Sequence, residues 1–231
     1  MAACVYFFLF YRKLPAAHFK LLAGAASMIK LGVQMAQDSK RDTIIEAARK
    51  RFAHFGVAKT TMNEIAEDLS ISKASLYYYF PDKLNIYAAV LDKIIRESDI
   101  SAAQFLRDND TEAALLAYMD ARFQFFNKNY NILEYLQTVT TDSKELRTVF
   151  DEVHNRQVTI LSQILRHGKA SGELVVADET KTASLFLDCL EGLHLKVLSH
   201  TQSFFPDKKE FQSLWKKEKE FAVIFFRGLR A

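Results

Sequence analysis

Residues 72–83 read SKASLYYYFPDK: a serine, a lysine and two small residues, a leucine, four consecutive aromatics, then Pro-Asp-Lys. A helix turns once in 3.6 residues, so four neighbouring aromatics cannot all face one core. In a helix starting at Ser72, Leu76, Tyr79 and Phe80 fall on one side. Lys73, Ala74, Ser75, Tyr77 and Tyr78 fall on the other, near the N-terminal end. Pro81 and Asp82 end this helix and open the next. Immediately upstream, TTMNEIAEDLSI (residues 60–71) reads as a second short helix, with Thr60 or Thr61 able to cap it. Ala66 is the small residue where the two helices cross, and Ile65, Leu69, Ile71, Leu76 and Tyr79 fill the wedge between them. Ser70 occupies the turn, where the backbone angles favour glycine. Two short helices joined by such a turn form a helix-turn-helix, whose second helix enters the major groove by its N-terminal end.

That placement gives each outward residue a chemistry. Lys73 suits guanine O6 and N7, Ser72 and Ser75 suit bases or phosphates, and Ala74 suits a thymine methyl. The Tyr77 and Tyr78 hydroxyls suit phosphate oxygens or bases, and Lys83, at the start of the next helix, suits another phosphate. The residues alone also admit an ordinary helical hairpin with half-buried tyrosines. Residues 40–90 carry eight Lys and Arg against six Asp and Glu, so DNA binding has to come from placement and not from bulk charge.

Outward from this stretch the pattern remains helical. SKRDTIIEAARKRFAHFG (39–56) has Ile44, Ile45, Ala48, Phe52 and Phe55 at three- and four-residue steps, a start signal at Ser39 and a stop at Gly56. The helix opened by Asp82 is expected to run to about Phe105 on a stripe of Leu84, Tyr87, Leu91, Ile94 and Ile95. Further helices are expected over 111–128, 131–139, 143–170, 178–200 and 207–229. No segment alternates as a strand does. Seven glycines and three prolines in 231 residues agree with long helices and short connections. The fold class is all-α, with a 38–84 helix-turn-helix domain and an 85–231 helical ligand-binding and dimerisation domain.

Residues 1–37 read as an N-terminal extension, disordered or an upstream mis-start of the reading frame. Its apolar run VYFFLFY precedes its basic residues, the reverse of a signal peptide, and falls short of the ~20 residues that span a bilayer. Stable membrane association is therefore not expected. Cys4 and Cys189 form no framework, which points to a reducing cytoplasm. The six histidines lack metal-ligand spacing and no catalytic motif occurs, so neither cofactor, metal nor enzyme activity is expected.

IIEAARKRFAHFG, TTMNEIAEDLSIS and KASLYYYFPDKLNIY, within residues 39–91, resemble the DNA-binding domain of the TetR family of transcriptional regulators. GKASGEL (168–174), followed by two long helices, is similar to the family more loosely. The resemblance implies a homodimeric regulator, a repressor released by a small molecule, on a near-palindromic double-stranded DNA operator. It places phosphate contacts at Thr61, Tyr77 and Lys83, and base-facing positions at Lys73, Ala74, Ser75 and Tyr78. The family often has histidine where Tyr79 stands.

The last two helices carry apolar residues beyond one stripe, as helices buried on more than one side do. Phe186, Leu190, Leu193, Val197, Leu214, Phe221 and Phe225 are the dimer candidates. The middle helices are rich in aromatics with a few polar handles, as cavities for small ligands are. Phe105, Tyr118, Phe126, His154, Gln157, Cys189 and His194 are the ligand candidates. A wide core is the competing reading of the first set, and ordinary core packing accounts for most of the middle aromatics taken singly. The competing reading of function is an all-α small-molecule-binding protein or enzyme whose N-terminal module does not bind DNA.

Overall fold

The computed structural model describes residues 16–98, 100–107, 110–137, 143–198 and 207–231. The chain divides at Ile45/Glu46 into two compact units. Helix α1 (Ala16–Phe55) crosses the division. The helix start expected at Ser39 is corrected: Ser39 lies inside α1, where its carbonyl accepts from the Thr43 hydroxyl at 2.8 Å. No proline occurs between Ala16 and Phe55, so nothing interrupts the hydrogen-bond ladder. Residues 16–37 are helical in this structure, and residues 1–15 lie outside the described residues.

In the second unit, α2 (Met62–Asp68), α3 (Lys73–Tyr79) and α4 (Lys83–Arg96) follow the end of α1. Each is capped by a side chain the sequence offers: Thr61 to the Glu64 amide, Ser72 to Ser75 and Asp82 to Asn85. Such caps supply acceptors for amides that have no partner inside the helix.

Then come α5 (Ala102–Leu106), α6 (Thr111–Lys128), α7 (Tyr130–Leu133) with a 3-10 turn over Glu134–Gln137, α8 (Lys144–Ala170), α9 (Glu179–Leu198) and α10 (Lys208–Arg227). The bounds follow the periodicity closely at α6, α8 and α10. Val197 and Leu198 lie in α9, but their side chains are outside the described residues. No strand occurs among the described residues beyond a Leu174–Arg230 bridge, which with Val175 N–H to Leu229 O (2.8 Å) ties the C-terminus to the connection after α8.

The helix expected from Asp82 to about Phe105 is in fact two. α4 stops at Arg96, and α5 begins five residues beyond Glu97. Neither glycine nor proline marks the break. The break is held by Arg156 on α8, which donates Nη1 to Ile95 O (2.7 Å) and Nη2 to Ser98 O (2.7 Å) and Ile100 O (3.4 Å), and locally by the Ser98 hydroxyl, which donates to Ile95 O at 2.6 Å. A guanidinium from a distant helix satisfies carbonyls that a continuing helix would otherwise use.

The larger core lies where α6, α8, α9 and α10 pack together, around Tyr118, Met119, Leu161, Ile164, Phe186, Leu190 and Phe226. α4 lies along α8, with Tyr87, Val90, Leu91 and Ile94 buried. Among the described residues, no helix is long and apolar enough to cross a membrane.

Candidate nucleic-acid interface

The four aromatics divide as the helical period requires. Leu76 is 0% exposed and Phe80 2%, while Tyr77 is 41% and Tyr78 71% exposed. Tyr79 is half-buried, edge-on to Tyr78 with ring centroids 5.1 Å apart. Ser72, Lys73 and Ala74 are exposed and Ser75 half-buried. The outward side of α3 therefore presents Lys73, Ala74, Tyr77 and Tyr78 together, with the Lys73 ammonium 5.8 Å from the Tyr77 ring centroid.

Three features hold α3 against α2. Ile65, Ala66 and Leu76 are buried in the wedge. The Ile71 amide donates to Ala66 O at 3.0 Å, closing the turn. Ser70 stands at φ 51°, the left-handed conformation that a glycine would adopt more readily. α2 is tied to α1 by Arg51, whose Nη1 reaches both oxygens of Asp68 at 2.7 Å and whose Nη2 meets Glu64 at 3.0 Å. The hydrogen bonds that Arg51 donates to Asp68 hold its pKa above the ordinary value.

Two residues expected at phosphates make hydrogen bonds within the chain in this DNA-free structure. The Lys83 ammonium donates to Val57 O (3.0 Å), Ala58 O (3.2 Å) and Thr60 O (3.0 Å), and stands 5.5 Å from the Tyr135 ring centroid. Its three protons are used on the connection between α1 and α2, and burial lowers its pKa. Thr61 likewise directs both of its donors, amide (2.8 Å) and hydroxyl (2.9 Å), to Glu64 Oε2. Lys83 is thus a clasp of the DNA-binding module. Lys83→Met is expected to cost about 1–3 kcal/mol of stability, because it removes charge-assisted hydrogen bonds to three carbonyls, of which Val57 O keeps only the Thr60 amide at 3.2 Å. Urea denaturation checks this; unchanged stability with weakened DNA binding would restore the phosphate role.

Beyond the break after α4 lies a partly open cavity of about 460 Å³, mouth included. Ile95, Ser98 and Ile100 line one side. Tyr118, Arg122, Phe125 and Phe126 of α6 and Val153, Arg156, Gln157 and Ile160 of α8 line the rest. Tyr118 donates to Gln157 Oε1 at 3.3 Å, and burial pushes its pKa up to about 12. Of the expected ligand residues, Tyr118, Phe126 and Gln157 meet here. The others do not line this cavity. Phe105 packs in the core edge-on to Tyr118, His154 pairs with Glu191 at 3.2 Å, and His194 pairs with Glu218. Cys189 is a half-buried free thiol on α9. The two arginines were missed because histidine and cysteine drew attention as polar handles, whereas an arginine in a helix ordinarily faces water.

The dimer candidates are also sorted. Phe186, Leu190 and Leu214 are at most 2% exposed within the single chain, where they form part of its own core. Leu193, Phe221 and Phe225 are half-buried, and Val197 lies outside the described side chains. Among the described side chains, the exposed large apolar residues on these helices are Leu185 of α9 (56%) and Ile224 of α10 (70%).

Residues 44–90 match the model described as bacterial regulatory proteins, tetR family. The fold is similar to a transcriptional regulator from Cytophaga hutchinsonii ATCC 33406, at 30% identity and a TM-score of 0.69, over 83% of this chain and 99% of that one. The probable HTH-type transcriptional regulator ArpR of Pseudomonas putida is 27% identical over 180 residues, 71% of this chain and 84% of the relative. The HTH-type transcriptional regulator TtgR, also of Pseudomonas putida, is 27% identical over 181 residues, 72% of this chain and 83% of the relative. The supported turn, the divided aromatics and these likenesses agree, and the chain belongs to the TetR family of DNA-binding transcriptional regulators.

Proposed function

We propose that the protein is a cytoplasmic homodimeric repressor that holds a near-palindromic operator through α3 and releases it when a small molecule enters the α6–α8 cavity. The observation that carries this reading is the division of α3: Leu76 and Phe80 anchor it, and Lys73, Ala74, Tyr77 and Tyr78 are left on the surface. A short helix anchored by one face and offering a lysine, a methyl and phenol hydroxyls on the other has the chemistry of base-edge and phosphate recognition. Family membership supports repression and ligand release. The exposed Leu185 and Ile224 support pairing of α9 and α10 with a second copy, which brings two α3 helices to half-sites about one helical turn, ~34–36 Å, apart.

The test is an electrophoretic shift on DNA upstream of the chain's own gene, with wild type and Lys73→Ala. The variant is expected to lose about 1–3 kcal/mol on the preferred site and to discriminate less at one base pair in each half-site. An unchanged base preference would show that α3 is not oriented this way, and absence of any shifted fragment would count against the reading as a whole.

A further inference from the structure

The α6–α8 cavity contains an unbalanced positive charge. Its described lining includes Arg122 and Arg156 and neither Asp nor Glu. The two arginines differ in what they touch. Arg156 is occupied by the three carbonyls at the end of α4 and beyond it. Arg122 has no such partners among the described residues: its Nη1 reaches the Met119 thioether at 3.9 Å, and its guanidinium stands 6.0 Å from the Tyr118 ring centroid. Its Nε is buried and meets no acceptor. A thioether is a weak acceptor and an aromatic face an incomplete substitute for water.

The carboxylates close to Arg122 in sequence or across the adjoining cavity are engaged elsewhere. Asp120 takes Lys219 at 2.9 Å, and Glu218, which lines the adjoining cavity with Arg122, takes His194. A half-buried guanidinium without an anion is a costly arrangement, and a bound anion relieves it. The rest of the lining is apolar, with Ile95, Ile100, Phe125, Phe126, Val153 and Ile160 as walls. The Gln157 amide adds a second donor beside Tyr118, because its carbonyl is the atom that accepts the Tyr118 hydroxyl.

We propose that the effector is an apolar carboxylic acid, bound as its carboxylate to Arg122 with its hydrocarbon or aromatic body against the Phe125–Phe126 side of the cavity. This rests on the reading of the protein as a ligand-released repressor, and it names the ligand's class. A planar fork of N–H donors matches a carboxylate in bidentate fashion, and one fork with one amide suits a monoanion. A cation would meet two guanidinium groups.

The experiment compares headgroups on constant tails at pH 7 by calorimetric titration of the full chain. Decanoate, decanol and decylamine form one series, and 4-phenylbutanoate, 4-phenylbutanol and 4-phenylbutylamine the other. At least one acid is expected to bind tenfold or more tightly than its alcohol, with its amine weaker still. Arg122→Gln is expected to weaken that acid by roughly 10- to 150-fold, the size of a lost charge-assisted contact, while its alcohol changes little, and Arg122→Lys to recover part of the loss. An amine that binds as tightly as its acid, an acid indifferent to Arg122→Gln, or no binding in either series would overturn the assignment. Operator release is measured in parallel. An amine that binds and releases the operator sinks the acid class and leaves ligand release standing. An Arg122-dependent acid that leaves the operator bound supports the class and counts against release.

Discussion

Glutamates in place of Leu185 and Ile224 are expected to give a folded monomer that no longer holds an operator. Both side chains are largely exposed in the single chain, so the change adds little strain to the fold. Beneath them, Phe186, Phe221 and Phe225 form a cluster with ring centroids 5.1–5.7 Å apart, which supports α9 and α10 from inside. In an isologous dimer every substitution appears twice, so the double variant places four unpaired charges in or beside the interface. Each buried unpaired charge costs about 2–5 kcal/mol, well beyond what a dimer of ordinary affinity tolerates. One α3 alone contacts one half-site, and binding is expected to fall from the ~10⁻⁸–10⁻¹¹ M range of specific complexes towards the ~10⁻⁴–10⁻⁶ M of non-specific ones. Sedimentation at micromolar concentration reads the first effect and operator titration the second. A double variant that sediments as a dimer would place the interface elsewhere.

The second large effect concerns the passage from cavity to DNA. α4 is held at both ends by long side chains making carbonyl contacts. At its start Lys83 grips the connection between α1 and α2, and nearby Tyr87 donates to Ile132 O at 3.0 Å. At its end Arg156 grips Ile95, Ser98 and Ile100, and Arg156 also lines the cavity. A ligand that shifts Arg156 therefore moves the end of the same helix whose start positions α3. A displacement of a few ångströms matters because B-DNA fixes the spacing of its grooves. Coupling of this kind is typically ~1–3 kcal/mol, a 5- to 150-fold change in operator affinity. Arg156→Leu is expected to reduce that ligand-dependent change to less than about twofold, and to cost about 1–3 kcal/mol of stability through the lost charge-assisted hydrogen bonds to Ser98 O and Ile95 O. Operator titration with and without a ligand found by thermal shift checks the first part, and urea denaturation the second. A variant that retains the full response would exclude this route.

Short-range signals were legible in the sequence and long-range ones were not. Thr61, Ser72 and Asp82 act on amides three residues ahead, so the helix-turn-helix could be read residue by residue. Ser70 could be recognised as a strained turn position for the same reason. The stop after Arg96 is braced by an arginine 60 residues further along the chain, which the sequence does not announce, while its local cap, the Ser98 hydroxyl on Ile95 O, resembles any serine in a helix. Lys83 has the composition of a phosphate ligand, yet carbonyls some 23–26 residues upstream claim it first. The start of α1 was misplaced because a serine followed by an aspartate looks like a cap whether or not the helix already runs through it. On α9 and α10 a core stripe and an interface stripe use the same residue types. Only burial separates Leu190 at 1% from Leu185 at 56%. The cavity was half visible: its aromatics follow the helical period, but an arginine turned inward has no mark in the sequence.

The most direct measurement selects fragments of the source genome on the purified protein and titrates the best of them at physiological salt. The account predicts a near-palindrome with half-sites about one helical turn apart, bound at least ~10³-fold more tightly than unrelated duplex, with the preference weakened by Lys73→Ala. A protein that binds every duplex alike, or none better than the ~10⁻⁴–10⁻⁶ M of non-specific association, would contradict it.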